Sequence, residues 1–130
     1  MGFYEEISRV YERIFPAGET QVRFLLDALG ESPSKRLLDV ACGTGAYSRA
    51  LARKGYTVTG IDLDPAMIDK ARVKAREEGI PVAFETGDMR NLGAFRDYGN
   101  IICLGNSLPH LLTPHEIRGA LGEMHKALAI

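Results

Sequence analysis

The 130-residue chain carries almost no net charge, has only two cysteines, and contains neither a low-complexity tract nor an apolar run approaching the length of a membrane span. Each shortage closes a route. Sixteen basic residues against seventeen acidic ones, with pI near 6.3, leave no electrostatic footprint for a nucleic acid, so no nucleic-acid partner is expected. Cys42 and Cys103 sit inside apolar runs without a C-x-x-C or histidine-rich neighbourhood, which argues against a disulfide framework and against zinc. No metal is expected, and the thiols favour a reducing cytoplasm. A bilayer span needs about twenty apolar residues, and the opening "MGFYEE" has neither a signal-peptide pattern nor the Ser or Thr that myristoylation requires where Glu6 stands. Neither a span nor an anchor is expected.

What remains is a chain with 45% hydrophobic and 25% charged residues, enough for one globular domain with a modest core. A small molecule is the expected partner.

The apolar rhythm divides the chain. "GFYEEISRVYERIF" places Phe3, Ile7, Val10, Tyr11 and Ile14 at helical spacing before Pro16. A second helix, "QVRFLLDALG", has Thr20 as its expected N-cap, a stripe of Val22, Leu25, Leu26 and Leu29, and Gly30 as its stop. The period then changes to a strand near 36–41, a helix near 45–54, a strand at 56–62 and a helix near 65–78. That last helix has Asp64 as cap, Pro65 in its first turn and Gly79 past its end. "PVAFETGD" reads as a third strand and "NIICLGN" (100–106) as a fourth. "TPHEIRGALGEMHKAL" is a helix with Thr113 and Glu116 at capping-box spacing and an expected core stripe of Ile117, Leu121, Met124 and Leu128. Alternation at these lengths predicts an α/β fold, a Rossmann-like doubly wound parallel sheet with right-handed crossovers.

In such a sheet ligands bind beyond the carboxyl ends of the strands, and "DVACGTG" lies there. Gly43 and Gly45 let a backbone approach a ligand closely, and the helix beyond offers unpaired N–H groups. Nineteen residues after Gly43 comes Asp62, at the predicted end of the second strand, where a carboxylate can accept from both hydroxyls of a ribose. Loop plus acid indicates a nucleoside-containing cofactor; a loop that only joins strand to helix, with Asp62 as a cap, is the plainer alternative. Dinucleotide enzymes use the same pair of features. Here, however, Ser48 stands where the third glycine of that fingerprint belongs, and Asp39 brings negative charge beside the pyrophosphate position. A ligand bearing an ammonium group would welcome Asp39.

"LLDVACGTG", "VTGIDLDPAMIDKAR", "FETGDMRNL" and "IICLGNSLPHLL" occur in that order, and from about residue 35 onward the chain resembles the class I S-adenosylmethionine-dependent methyltransferases. It is most similar to the small-molecule branch that includes glycine and sarcosine N-methyltransferases. The resemblance implies S-adenosyl-L-methionine as cofactor and a small-molecule acceptor, an amine among the candidates. It implies Asp39 for the methionine amino group, and Ala41, Gly43 and Gly45 as the loop facing methionine and ribose. Asp62 would serve the ribose, and Leu63 and Met67 the adenine, with Met67 equally readable as core. Asp88 would accept from the adenine amino group, and Met89 would offer its backbone N–H to a ring nitrogen. Leu104 and Asn106 would line the methionine end. His110, Tyr4 and Tyr11 are candidates to reach the acceptor, and Arg23 is a weaker one for the cofactor carboxylate; His115 and His125 read as surface residues. His110 could equally contact the methionine portion of the cofactor or serve as a base, and no single catalytic residue is nominated.

By the same resemblance residues 1–30 form an N-terminal helical lid and 31–130 the cofactor-binding half of a methyltransferase domain. The family's sheet has the order 3-2-1-4-5-7-6, and here only strands in the order 3-2-1-4 are expected. The C-terminal half is therefore expected to be missing, as in part of a longer enzyme, unless a second copy or another subunit covers the open edge. Two other readings stay open. One is a non-catalytic nucleoside-binding or assembly module, and the other is an NAD-dependent oxidoreductase.

Overall fold

The structure, a computed structural model, describes residues 18–32, 34–104 and 113–128. The N-terminal helix expected over residues 3–14, with Tyr4 and Tyr11, lies outside them. In chain order the described elements are α1 (Glu19–Leu29), β1 (Arg36–Val40), α2 (Ala46–Arg53), β2 (Thr57–Asp62), α3 (Pro65–Glu78), β3 (Ala83–Thr86), β4 (Asn100–Cys103) and α4 (Pro114–Ala127). The strands form one parallel sheet, as the alternation predicts, in the order β3-β2-β1-β4 that the resemblance implies.

Strand alternation assigns the two faces. Leu37 of β1, Val58 of β2 and Ile102 of β4 pack with Leu51 of α2, and Leu26 and Leu29 of α1 close over them. Gly60, two residues on from Val58, lies against the Phe84 ring, which joins Ile68, Ala71 and Ala75 of α3. So α1, α2 and α3 share one face. Leu38, Val40 and Ile61 point to the other, where Met124 of α4 covers them together with Leu92 and Tyr98. Each fully buried aliphatic side chain contributes on the order of 2 kcal/mol, so the central strand β1, apolar on both faces, anchors the fold.

Local chemistry accounts for the ends of the elements. Asp64 accepts from the Ala66 N–H at 2.9 Å, Pro65 opens α3, and Gly79 closes it at φ 67°. Thr113 accepts from the Glu116 N–H at 3.1 Å at the start of α4. β1 stops one residue short of its expected end because Ala41 turns to φ 60°.

Four expectations need correction. The N-cap of α1 is Gly18 rather than Thr20, so the helix starts two residues earlier than expected, at Glu19. The buried stripe of α4 is Ala120, Met124 and Ala127, which leaves Leu121 half exposed. The small alanines let the helix approach the sheet, and Leu121 is turned about 100° away from that contact. The fourth strand ends at Cys103; Leu104 lies past it, and residues 105–112 are outside the described part of the structure. Leu128, expected inside the helix, is its C-cap and pairs in parallel with Tyr98, just before the edge strand β4.

Candidate functional site

The carboxyl ends of β1, β2 and β3 converge, and the tightest turn there is 41–45. Ala41, Gly43 and Gly45 all take positive φ (60°, 59° and 82°), so a strand becomes a helix within five residues. The turn is laced from several directions. The Cys42 N–H donates to Ile61 O at 2.9 Å, the Gly45 N–H donates to Cys42 O at 3.0 Å, and Arg49 Nη1 donates to Thr44 O at 2.7 Å. Arg49 is itself buried and forms an ion pair with Glu78 of α3 at 2.7 Å.

Gly45 has a different task from the one its motif suggests. A Cβ there would meet Phe84 Cζ at 2.5 Å and the Ala71 Cβ at 3.3 Å, so the absent side chain makes room for the core. Its place in the site comes from its backbone, which opens α2.

Asp39 alternates with Leu38 and Val40 and therefore points to the α2 face. It is 2% exposed, and Ser48 of α2 donates to its Oδ2 at 2.6 Å. Burial pushes the carboxyl from its ordinary 3.8 up to about 7; the Ser48 hydroxyl works against that rise and the charge of Asp62 adds to it. A carboxyl so desolvated binds a proton or a cation near neutral pH.

Asp62 closes the same space from β2. Its Oδ2 accepts from the Gly43 N–H at 2.9 Å and its Oδ1 from the Asp64 N–H at 2.9 Å. A carboxylate oxygen takes two hydrogen bonds, so each keeps one acceptor direction, which suits a pair of adjacent hydroxyls. Beside it Leu63 is 63% exposed, an apolar platform at the rim, while Met67 is buried in the first turn of α3.

The chain after β3 is tied to this corner by the Gly87 N–H, which donates to Asp62 O at 2.9 Å. Asp88 follows, and its carboxylate accepts from the Arg90 N–H, Nε and Nη2 at 2.9, 3.0 and 2.8 Å. Arg90 holds that carboxyl below its ordinary range, against a smaller opposing effect of burial. Met89 packs partly buried against the core on the α4 face.

The structure thus gathers Asp39, Ala41, Gly43, Gly45, Asp62, Leu63, Asp88 and Met89 around three strand ends. Leu104 is partly buried just past β4. Asn106 and His110 lie outside the described residues. Arg23 is exposed on α1 and pairs with Glu19 at 3.9 Å; His115 and His125 are exposed on α4. Neither cysteine is set up as a nucleophile: burial, then Asp39, pushes the Cys103 thiol up to about 11, and burial with both acids pushes Cys42 higher still.

Sequence reasoning passed over Ser48, Arg49, Phe84 and Arg90. Only Ser48 left a signal, as the residue that stands where the third glycine of the dinucleotide fingerprint belongs. Thr44 Oγ1 is also buried and has no hydrogen-bond partner among the described residues, a polar atom of the loop left for something else to satisfy.

Comparison with known proteins agrees with this geometry. A family model described as "Methyltransferase domain" matches residues 37–129. The chain is 33% identical over 112 residues to a glycine/sarcosine N-methyltransferase from Parasynechococcus marenigrum, covering 85% of this chain and 40% of that protein. It is 32% identical over 108 residues to a ubiquinone biosynthesis O-methyltransferase from Photorhabdus laumondii, covering 82% and 45%. Among solved structures, an amino pentose methyltransferase from Micromonospora echinaspora with bound S-adenosylmethionine superposes with TM-score 0.79 at 30% identity, over 92% of this chain and 52% of that one. A TehB-like S-adenosylmethionine-dependent methyltransferase from Corynebacterium glutamicum gives 0.76 at 27%, over 96% and 66%. The chain spans about half the length of the curated relatives it matches.

Proposed function

The chain belongs to the methyltransferase domain family and carries the class I S-adenosylmethionine-dependent fold, and from that premise we propose that it is the cofactor-holding part of an enzyme that methylates a small amine. S-adenosylmethionine is the cofactor, and the residues fit it. Asp39, buried and short of a cation, receives the amino group of the methionine. The turn 41–45 lies along the methionine and ribose, with Thr44 Oγ1 still to be satisfied. Asp62 takes the ribose hydroxyls with its two remaining acceptor directions. Leu63 and Met67 flank the adenine, Asp88 accepts from its amino group and Met89 offers a backbone N–H. Leu104 and Asn106 line the methionine end.

When bound, the cofactor supplies an electrophilic methyl group on a sulfonium. The chain's own part is to bind, orient and exclude water. Asp39 fixes one end of the ligand and Asp62 the middle, and the laced turn keeps both from shifting. A reacting amine must be neutral, and His110, Tyr4 and Tyr11 are the candidates to meet it.

The amine is favoured by two relatives, the glycine/sarcosine N-methyltransferase and the amino pentose methyltransferase, while the ubiquinone enzyme carries the O-methyl alternative. The observation that carries the cofactor assignment is Asp39, because a carboxylate buried beside the loop would repel the pyrophosphate of a dinucleotide. Calorimetric titration with S-adenosylmethionine and with NAD tests it. The expected result is saturable binding of the first, weakened at least about tenfold in Asp39→Asn, and none of the second. Binding of NAD with indifference to S-adenosylmethionine would overturn the assignment. Methyl transfer to glycine-like amines separates an enzyme from a module that only holds the cofactor.

A further inference from the structure

Asp88 is held in an unusual way for an acid expected to greet a ligand. Its Oδ1 accepts from both the Arg90 backbone N–H (2.9 Å) and Nε (3.0 Å), and its Oδ2 accepts from Nη2 (2.8 Å) with Nε at 3.2 Å as a shared contact. Oδ1 is therefore filled. Oδ2 keeps one open direction. The far side of the same guanidinium reaches α4, where Nη1 lies 3.3 Å from Glu116 Oε2. A second tie runs parallel to it, from the Leu92 N–H to Glu123 Oε1 at 2.8 Å. Asp88 is thus fastened to a helix on the opposite face of the sheet from α3, and the fastening passes through one residue.

We propose that Arg90 is a positioning residue: its guanidinium grips Asp88 bidentately, anchors it to Glu116 of α4, and leaves a single acceptor position on Oδ2 for one N–H of an exocyclic amino group. The inference rests on the S-adenosylmethionine reading above and deepens it, by naming what makes the site select adenine over a purine with a 6-oxo group. A planar fork fixes both carboxylate oxygens at once, which an ammonium on a flexible stem does not. Among the described residues Arg90 is the charged group that faces Asp88, and Glu116 faces the far nitrogen of Arg90.

The test compares S-adenosylhomocysteine with S-inosylhomocysteine by calorimetry on the full chain, with thermal melting to verify folding. The wild type prefers the adenosyl ligand by about tenfold or more. In Arg90→Gln that preference falls toward unity because the adenosyl ligand alone weakens. Arg90→Lys does not restore it, and Glu116→Gln reduces it less. In the ligand-free protein, carboxyl NMR of Asp88 shows its titration moving up in Arg90→Gln. An unchanged ligand preference, an equal loss for both ligands, or an unmoved Asp88 titration overturns the role of Arg90 while the cofactor reading stands. If the wild type binds neither nucleoside, the cofactor reading has failed, and the positioning role falls with it.

Discussion

The turn after β1 and the segment after β3 each present a carboxylate at the same end of the sheet, yet they control it by opposite means. Asp39 is buried among apolar neighbours with one hydroxyl donor, and its carboxyl rises to about 7. Asp88 is about one-third exposed and clasped by a guanidinium, and its carboxyl falls below the ordinary range. Removing water makes an acid that waits for a cation; adding an arginine makes one that stays charged and points one way. The first end of the site is therefore sensitive to packing and pH, the second to a single exposed pair.

The largest break should come from the packing of the buried end. Gly45→Ala combines a side chain at φ 82° with a Cβ 2.5 Å from the Phe84 ring, neither of which can relax without moving α2 or β3. Strain of this backbone and overpacking together cost about 3 kcal/mol or more, read as a lower urea midpoint. An unchanged midpoint would show that the ring under the turn moves freely.

Asp39→Asn comes next, and it separates stability from binding. The folded carboxyl is raised above its unfolded value, so its contribution is fully present below pH about 4 and is lost as pH rises toward 7. Replacing it should remove this decline and stabilise the ligand-free chain at pH 8 by up to a few kcal/mol, even as cofactor affinity falls. Denaturation curves at pH 5 and pH 8 check the sign. A stability difference from the wild type that is the same at pH 5 and pH 8 would contradict the buried, desolvated acid.

Ser48→Ala is the subtler change at the same group. It removes the donor to Oδ2 without removing the charge, so Asp39 should titrate still higher and bind the cofactor's ammonium more weakly. The expected loss is about 1–2 kcal/mol of affinity at pH 7, shrinking at pH 8.5 as the carboxyl ionises anyway. A pH-independent loss would make Ser48 a packing residue only.

These residues also mark how far the sequence could be read. The order of elements was legible because buried strands and amphipathic helices have different apolar periods, and α3 announces its ends with Asp64, Pro65 and Gly79. Asp39 and Asp62 were legible as site acids from their distance to the glycines. The phase of α4 was not, because alanine suits a helix surface as well as a core, so Ala120 and Ala127 did not compete with Leu121 on paper. Ser48, Arg49 and Arg90 were hidden for another reason. Their partners lie across a turn, on a neighbouring helix or 26 residues away, and only the folded sheet brings them together.

The smallest expected effect is at Ala41, which with Asp97 is one of two non-glycine residues at positive φ among the described residues. Its φ of 60° places an ordinary Cβ in a region that costs about 1 kcal/mol, and Ala41→Gly relieves it. Glycine also gains freedom in the unfolded chain, which offsets about 0.5–1 kcal/mol of that relief. The net change should lie within about 0.5 kcal/mol of zero, measurable as a nearly unmoved urea midpoint. A large stabilisation would mean that the turn holds Ala41 under more strain than its dihedral implies, whereas a large loss would mean that its methyl packs against something the backbone angle does not reveal. Against the cost expected at Gly45, four residues on, this contrast separates a glycine required by its neighbours from a left-handed turn that an alanine can occupy.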